Sequence, residues 1–340
     1  MRERLRYELR RRTRRGMPLR ERLEVTPEQY VYVAWAAMIL LAVIVLTGAA
    51  VRLTNSGLGC PTWPRCSGKV YPPDQTHALI EFSNRVASTL VGLAVAVGAI
   101  LALTRRPFRR DLAILAVLLP LGVLAQAVLG GFTVREHLAP GFVMAHFSLS
   151  MIILIVAVAL AWRATHERGW RPVSTDRLSV WAVRALAPLA ALTIFAGTAA
   201  TAAGPHAGGS PGQRIHRLHF KGDDTLTWVI HRHATIAALF GVAVIAVWLL
   251  RRHRGASQDA LEPVTVLGVL VAAQGLIGSV QYELKLPSDL VWVHVSLATL
   301  TWLAVLWALA AAGRLAPRRL VVPVREPSPS ARELEAAGRS

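Results

Sequence analysis

Gly141-Phe142-Val143-Met144-Ala145-His146-Phe147-Ser148-Leu149-Ser150-Met151-Ile152-Ile153-Leu154-Ile155-Val156-Ala157-Val158-Ala159-Leu160-Ala161-Trp162 carries no acidic residue, lysine or arginine. At 1.5 Å per residue, about 20 apolar residues cross a hydrocarbon core about 30 Å thick, so this run predicts a membrane-spanning helix. Seven more stretches meet that length: 30–51, 84–104, 112–134, 180–203, 227–250, 262–283 and 290–313. None has an acidic residue in its middle third, as required where the segment satisfies its own backbone and a buried charge is costly. With 54% hydrophobic and 17% charged residues among 340, the bilayer is the main solvent of this chain. The fold class is an all-α integral membrane protein of eight transmembrane helices.

The quoted run has a second copy. Gln126-Ala127-Val128-Leu129-Gly130 leads to His146-Phe147-Ser148-Leu149-Ser150, and Gln274-Gly275-Leu276-Ile277-Gly278 leads to His294-Val295-Ser296-Leu297-Ala298, an offset of 148. Upstream, Ile80-Glu81-Phe82-Ser83-Asn84-Arg85 is placed on Thr227-Trp228-Val229-Ile230-His231-Arg232 at an offset of 147, and Gly48 falls near Gly197. Each unit holds an even number of spans, so the copies are parallel repeats, two four-helix bundles related by an axis along the membrane normal. The expected organisation is a basic tail (1–29), an N-terminal unit (30–163), a linker (164–179), a C-terminal unit (180–313) and a disordered tail (314–340).

The net charge of +18 divides by side of the membrane. The two tails and the segments after the second, fourth and sixth spans hold 27 Lys and Arg, against eight in the opposite loops. By the positive-inside rule both termini are cytoplasmic, in the cell membrane, and the Arg-rich tail meets lipid and not nucleic acid. That tail has no short apolar segment with a small-residue cleavage site, so it is expected to be retained.

His146, His231 and His294 stand in the first turns of even-numbered spans. An imidazole inside a membrane bundle marks a site unless it is hydrogen-bonded across helices, and facing histidines in a four-helix bundle can hold a heme iron. His231 and His294 are read as such a pair. Arg85 and Arg232, each following a second-helix position, either pair with heme propionates or snorkel to the interface. Cys60 and Cys66, the two cysteines of the chain, lie in an outer loop where a disulfide is permitted. Pinning the loop and passing electrons both remain open for them.

The run Thr47-Gly48-Ala49-Ala50-Val51-Arg52-Leu53-Thr54-Asn55-Ser56-Gly57-Leu58-Gly59-Cys60-Pro61-Thr62-Trp63-Pro64-Arg65-Cys66, followed by Glu81 to Arg85 and the three histidines, resembles the heme A synthase family. The resemblance covers about residues 30–313. It implies oxidation of the ring D methyl group of heme O to a formyl group, giving heme A for terminal oxidases. It further implies a b-type heme in the C-terminal half, with His231 and His294 as its ligands and Arg232 beside it. The substrate heme would sit in the N-terminal half at His146, Asn84 and Arg85, with Glu81 as the catalytic carboxylate. Heme O synthase would hand over the substrate; the electron acceptor is unspecified and a homo-oligomer is compatible. The family's histidine three residues after the glutamate is Asn84 here, and an amide is a poor iron ligand. His77, two turns earlier, is too far along the helix to substitute readily. Glu81 either ion-pairs with Arg85 at i+4 or acts on the reacting carbon. The competing functions are a diheme b-type cytochrome and a heme-handling transporter.

Overall fold

The computed structural model describes residues 24–69, 71–166, 173–209, 213 and 215–316. The basic tail up to residue 23, residues 167–172 of the expected linker and the tail from 317 onward lie outside the described residues. The helices are α1 (Pro27–Leu53), α2 (Thr76–Thr104), α3 (Arg110–Arg135), α4 (Pro140–Thr165), α5 (Arg177–Ala203), α6 (Thr225–His253), α7 (Gln258–Glu283) and α8 (Ser288–Ala312). All eight are long and apolar enough to cross a membrane. They are apolar on inward and outward faces alike, which is the pattern of helices solvated by protein on one side and lipid on the other. Two short parallel strands, β1 (Val173–Ser174) and β2 (Arg314–Leu315), pair at one end of the bundle.

Local chemistry sets the helix ends. Thr26 and Gln29 form a reciprocal capping box ahead of Pro27, and the Asp176 carboxylate accepts from the Ser179 N–H to start α5; both satisfy amides that the first turn leaves without partners. Helix α2 begins at Thr76 and not at residue 84, because hydropathy detects the lipid-facing length while the helix continues beyond it. That extension places His77, Glu81, Asn84 and Arg85 on one helix.

Within each unit the helices form a closed ring, α1–α2–α3–α4 and α5–α6–α7–α8, and the units meet where α4 packs on α5, α8 on α1 and α4 on α8. The first two interfaces exchange under the rotation that maps one unit onto the other and the third maps onto itself, as parallel repeats require. Buried residues give the register of the repeat. Tyr30, Ala34, Ala37 and Leu41 correspond to Ser179, Val183, Leu186 and Ala190, and Val91 and Val95 to Phe240 and Val244, all 149 apart. Ala116 and Leu119 correspond to Val264 and Leu267, and Leu154, Ala157 and Leu160 to Trp302, Val305 and Ala308, 148 apart. The change of one falls between the second and third helices of the units, where Arg105–Arg109 joins α2 to α3 and the shorter Arg254–Ser257 joins α6 to α7.

Hydrogen bonds lock the halves together. The Arg52 guanidinium donates to the carbonyls of His206 (2.9 Å) and Thr201 (3.0 Å), and Gly57 N–H to Gly208 O at 2.7 Å. Deeper in the bundle, Trp292 Nε1 donates to Leu46 O and Trp302 Nε1 to Met151 O, each at 3.0 Å.

Candidate functional site

Glu81 and Arg85 lie one turn apart on α2, under the loop that joins α1 to α2. Cys60 and Cys66 form a disulfide in that loop, and both are fully buried. One Glu81 oxygen accepts from the Cys60 N–H at 2.7 Å and the other from Arg85 Nη2 at 2.5 Å. Arg85 also donates to the carbonyls of Cys60 and Thr62, both at 2.9 Å, and of Pro64 at 3.4 Å. Glu81 is only 6% exposed. The ion pair expected from the i, i+4 spacing is therefore present, and it is joined to the disulfide loop through backbone groups. The Arg85 guanidinium is bonded to this loop and to Glu81. Gly59 makes the close approach possible: a Cβ there would come within 2.2 Å of the His77 carbonyl oxygen. His77 itself is held through Nδ1 by the Ser56 hydroxyl at 3.0 Å, away from the position of Asn84.

The second-helix offset of 149 changes the histidine pairing. Two residues turn a helix by about 200°, so the expected match of Asn84 with His231 is a match between opposite faces. On the observed register Asn84 corresponds to His233. His231 and Arg232 are exposed, and Arg232 stacks over the Trp228 ring at 5.4 Å. His233 turns toward the bundle with Val229 and Phe240, and its ring lies 6.2 Å from that of His294, the two planes at 81°. Two glycines make room, since a Cβ on Gly197 would stand 3.1 Å from His233 Cε1 and one on Gly278 would stand 3.2 Å from His294 Cε1. The missed signal was available in the sequence: Gly48/Gly197 and Gly92/Gly241 are both 149 apart.

The N-terminal unit repeats this arrangement with one change. His146 packs on Gly130, where a Cβ would stand 3.3 Å from its Cε1, as His294 packs on Gly278. Gln126 Nε2 ties α3 to α4 there, donating to His146 O at 3.0 Å and Ser150 Oγ at 2.6 Å. Opposite, the place of His233 is taken by Asn84, whose Oδ1 accepts from the Thr47 hydroxyl at 2.8 Å.

These residues fit a heme. Two imidazoles binding one iron at about 2 Å each, with about 1.1 Å from nitrogen to ring centre, have centroids about 6.2 Å apart. The separation of His233 and His294 is the same. His233 Nδ1 lies 3.0 Å from Thr193 O, so that nitrogen is the protonated donor and Nε2 carries the lone pair, the tautomer that a metal-binding histidine has when a backbone carbonyl orients it. Among the described residues, Nδ1 of His146 and of His294 are buried without a hydrogen-bond partner, so neither nitrogen is committed to the network formed by those residues.

Residues 31–213 match the family described as cytochrome oxidase assembly protein, COX15-CtaA. The chain is similar to a heme A synthase of Shewanella oneidensis, 32% identical over 176 residues, which is 46% of this chain and 50% of that protein. A heme A synthase of Halalkalibacterium halodurans is 34% identical over 129 residues, 37% of this chain and 43% of that protein. A protoheme IX farnesyltransferase of Thermus thermophilus is 30% identical over 285 residues, 79% of this chain and 46% of that protein. The chain thus spans about half or less of the length of these curated relatives.

Proposed function

Because the chain belongs to the cytochrome oxidase assembly protein family, COX15-CtaA, and is a multi-pass membrane protein, we propose that it is a heme A synthase. It oxidises the ring D methyl group of heme O to a formyl group, using a resident b-type heme in the C-terminal unit and processing the substrate heme in the N-terminal unit. The observation that carries this reading is the asymmetry of one repeat: two imidazoles at heme-ligand spacing in the C-terminal copy, and in the N-terminal copy one imidazole, His146, with the amide Asn84 at the register position of His233. A six-coordinate heme suits electron transfer, and a heme with one strong protein ligand suits a molecule that must arrive and leave.

His233 and His294 would hold the resident heme, which supplies one-electron redox chemistry when bound. His146 would bind the substrate heme iron. Glu81 and Arg85 position the disulfide loop over the outer end of that half, and the clasp of Arg52 and Gly57 on the 201–208 segment closes the two halves against each other. The excess of arginine on one side supports an orientation with both termini cytoplasmic in the cell membrane. The farnesyltransferase among the relatives supports a farnesylated heme as substrate and a supplying enzyme that attaches the farnesyl group.

The test is the pigment extracted from the purified protein expressed with heme O. Heme A or a hydroxylated heme O beside heme B is expected. Heme B alone, with heme O unaltered, overturns the enzyme in favour of a cytochrome.

A further inference from the structure

We propose that Asn84 is a hydrogen-bond donor to a small exogenous ligand, an anion or a diatomic molecule, on the iron of the heme bound at His146. This rests on the reading of the N-terminal unit as a heme site. The repeat register sets Asn84 where His233 stands, so Asn84 faces the position opposite His146 as His233 faces His294. An asparagine side chain is shorter than a histidine, and its amide stops short of the place an imidazole nitrogen takes. Its oxygen is already used, accepting from the Thr47 hydroxyl at 2.8 Å. That leaves the Nδ2 amino group, a donor with two N–H bonds, over Gly48, whose added Cβ would lie 4.0 Å away in ordinary contact.

The two copies show how the orientation is made. In the C-terminal unit the carbonyl of Thr193 receives His233 Nδ1. The corresponding carbonyl, 149 residues earlier, is that of Ile44; there the Thr47 hydroxyl is 3.2 Å away, and its single proton goes to the nearer acceptor, Asn84 Oδ1 at 2.8 Å. Thr47 thus holds the amide with its oxygen turned back. Its counterpart in the C-terminal unit is Ala196, so the device belongs to the N-terminal copy alone. His146 would hold the iron of a bound heme, and on the other side Asn84 would offer a fixed donor in place of a second protein ligand.

The full-length protein is loaded with heme, and ferric azide binding is titrated optically; the resident six-coordinate heme does not compete for azide. Asn84→Leu is expected to weaken azide about tenfold, the size of one hydrogen bond to a charged acceptor, and to raise the C–O stretching frequency of the ferrous carbon monoxide complex. Thr47→Val, which keeps the amide and frees its orientation, is expected to weaken azide by about threefold. Asn84→His is expected to convert the second heme to a low-spin species that no longer binds azide. If the second heme is present and His146-dependent, yet Asn84→Leu and Thr47→Val both bind azide like the unmodified protein, Asn84 is not the donor. If no second heme binds, or it persists in His146→Ala, the N-terminal heme site itself is wrong, and this is visible before any azide is added.

Discussion

Replacing His231 and His233 one at a time separates two residues that lie two apart in sequence and on opposite sides of one helix. The rotation of about 200° across a cylinder about 10 Å wide means that only one of them can reach His294, and the 6.2 Å ring separation belongs to His233. Losing a hydrogen bond behind a metal-binding histidine typically costs 10–100-fold in affinity, so loss of the ligand in His233→Ala is expected to weaken the resident heme by more than about 100-fold. At micromolar protein the purified variant is expected to lack the low-spin b-type spectrum. His231→Ala, with its exposed ring, is expected to keep both heme content and spectrum. The assay is heme per polypeptide by pyridine hemochrome, with electron paramagnetic resonance of the ferric protein. His233 and His294 would hold the iron with their ring planes at 81°, and a strongly anisotropic low-spin signal is expected if that angle is kept when heme binds. A His231→Ala protein without the low-spin heme, beside a His233→Ala protein that retains it, refutes the register and the ligand assignment together.

Glu81→Gln leaves the Arg85 guanidinium without its buried counter-charge, and a loss of about 2–3 kcal/mol is expected; the readout is faster reduction of the Cys60–Cys66 bond by an external thiol. Full stability with oxidation arrested at heme O would instead place Glu81 in the chemistry. Gly59→Ala is expected to cost more than 2 kcal/mol, because the colliding atom at 2.2 Å is helix backbone and cannot swing aside; unaltered thermal stability in detergent contradicts the close approach. The hydrogen bond from Arg254 holds the Asp176 carboxyl down to about 2, so the stabilisation is complete above the usual aspartate range and is lost as pH falls towards 2. This exposed pair is worth under about 1 kcal/mol, and Asp176→Asn is expected to leave the melting temperature within a degree or two above pH 5; a large drop there shows a bigger role at the α5 cap.

Eight apolar runs predicted eight helices, because bilayer thickness imposes a length that composition reveals directly. The histidine at the start of the fourth helix of each unit was equally legible, since Gln126/Gln274, Gly130/Gly278 and His146/His294 share one offset. The second helix was harder. Arg85 and Arg232 look alike and favour an offset of 147, but they face different surroundings, one bonded into a loop and the other stacked on Trp228. Helical phase is a stronger constraint than matching residues, because every inward side chain of α2 and α6 must keep it together. The clasp on the disulfide loop could not be read at all. Its acceptors are backbone carbonyls of Cys60, Thr62 and Pro64, which leave no signature in the side-chain pattern.

The unequal connectors Arg105–Arg109 and Arg254–Ser257 record how a duplicated unit can diverge. A residue inserted within α6 would rotate everything beyond it by about 100° and move the inward face out to lipid. The same residue added between helices is absorbed by the connector and moves no face. Duplicate copies were therefore free to drift in length only outside the bundle. Inside it, the paths open to new chemistry were exchanges of one side chain for another at a preserved address, such as the histidine and asparagine now found at corresponding positions of the two halves.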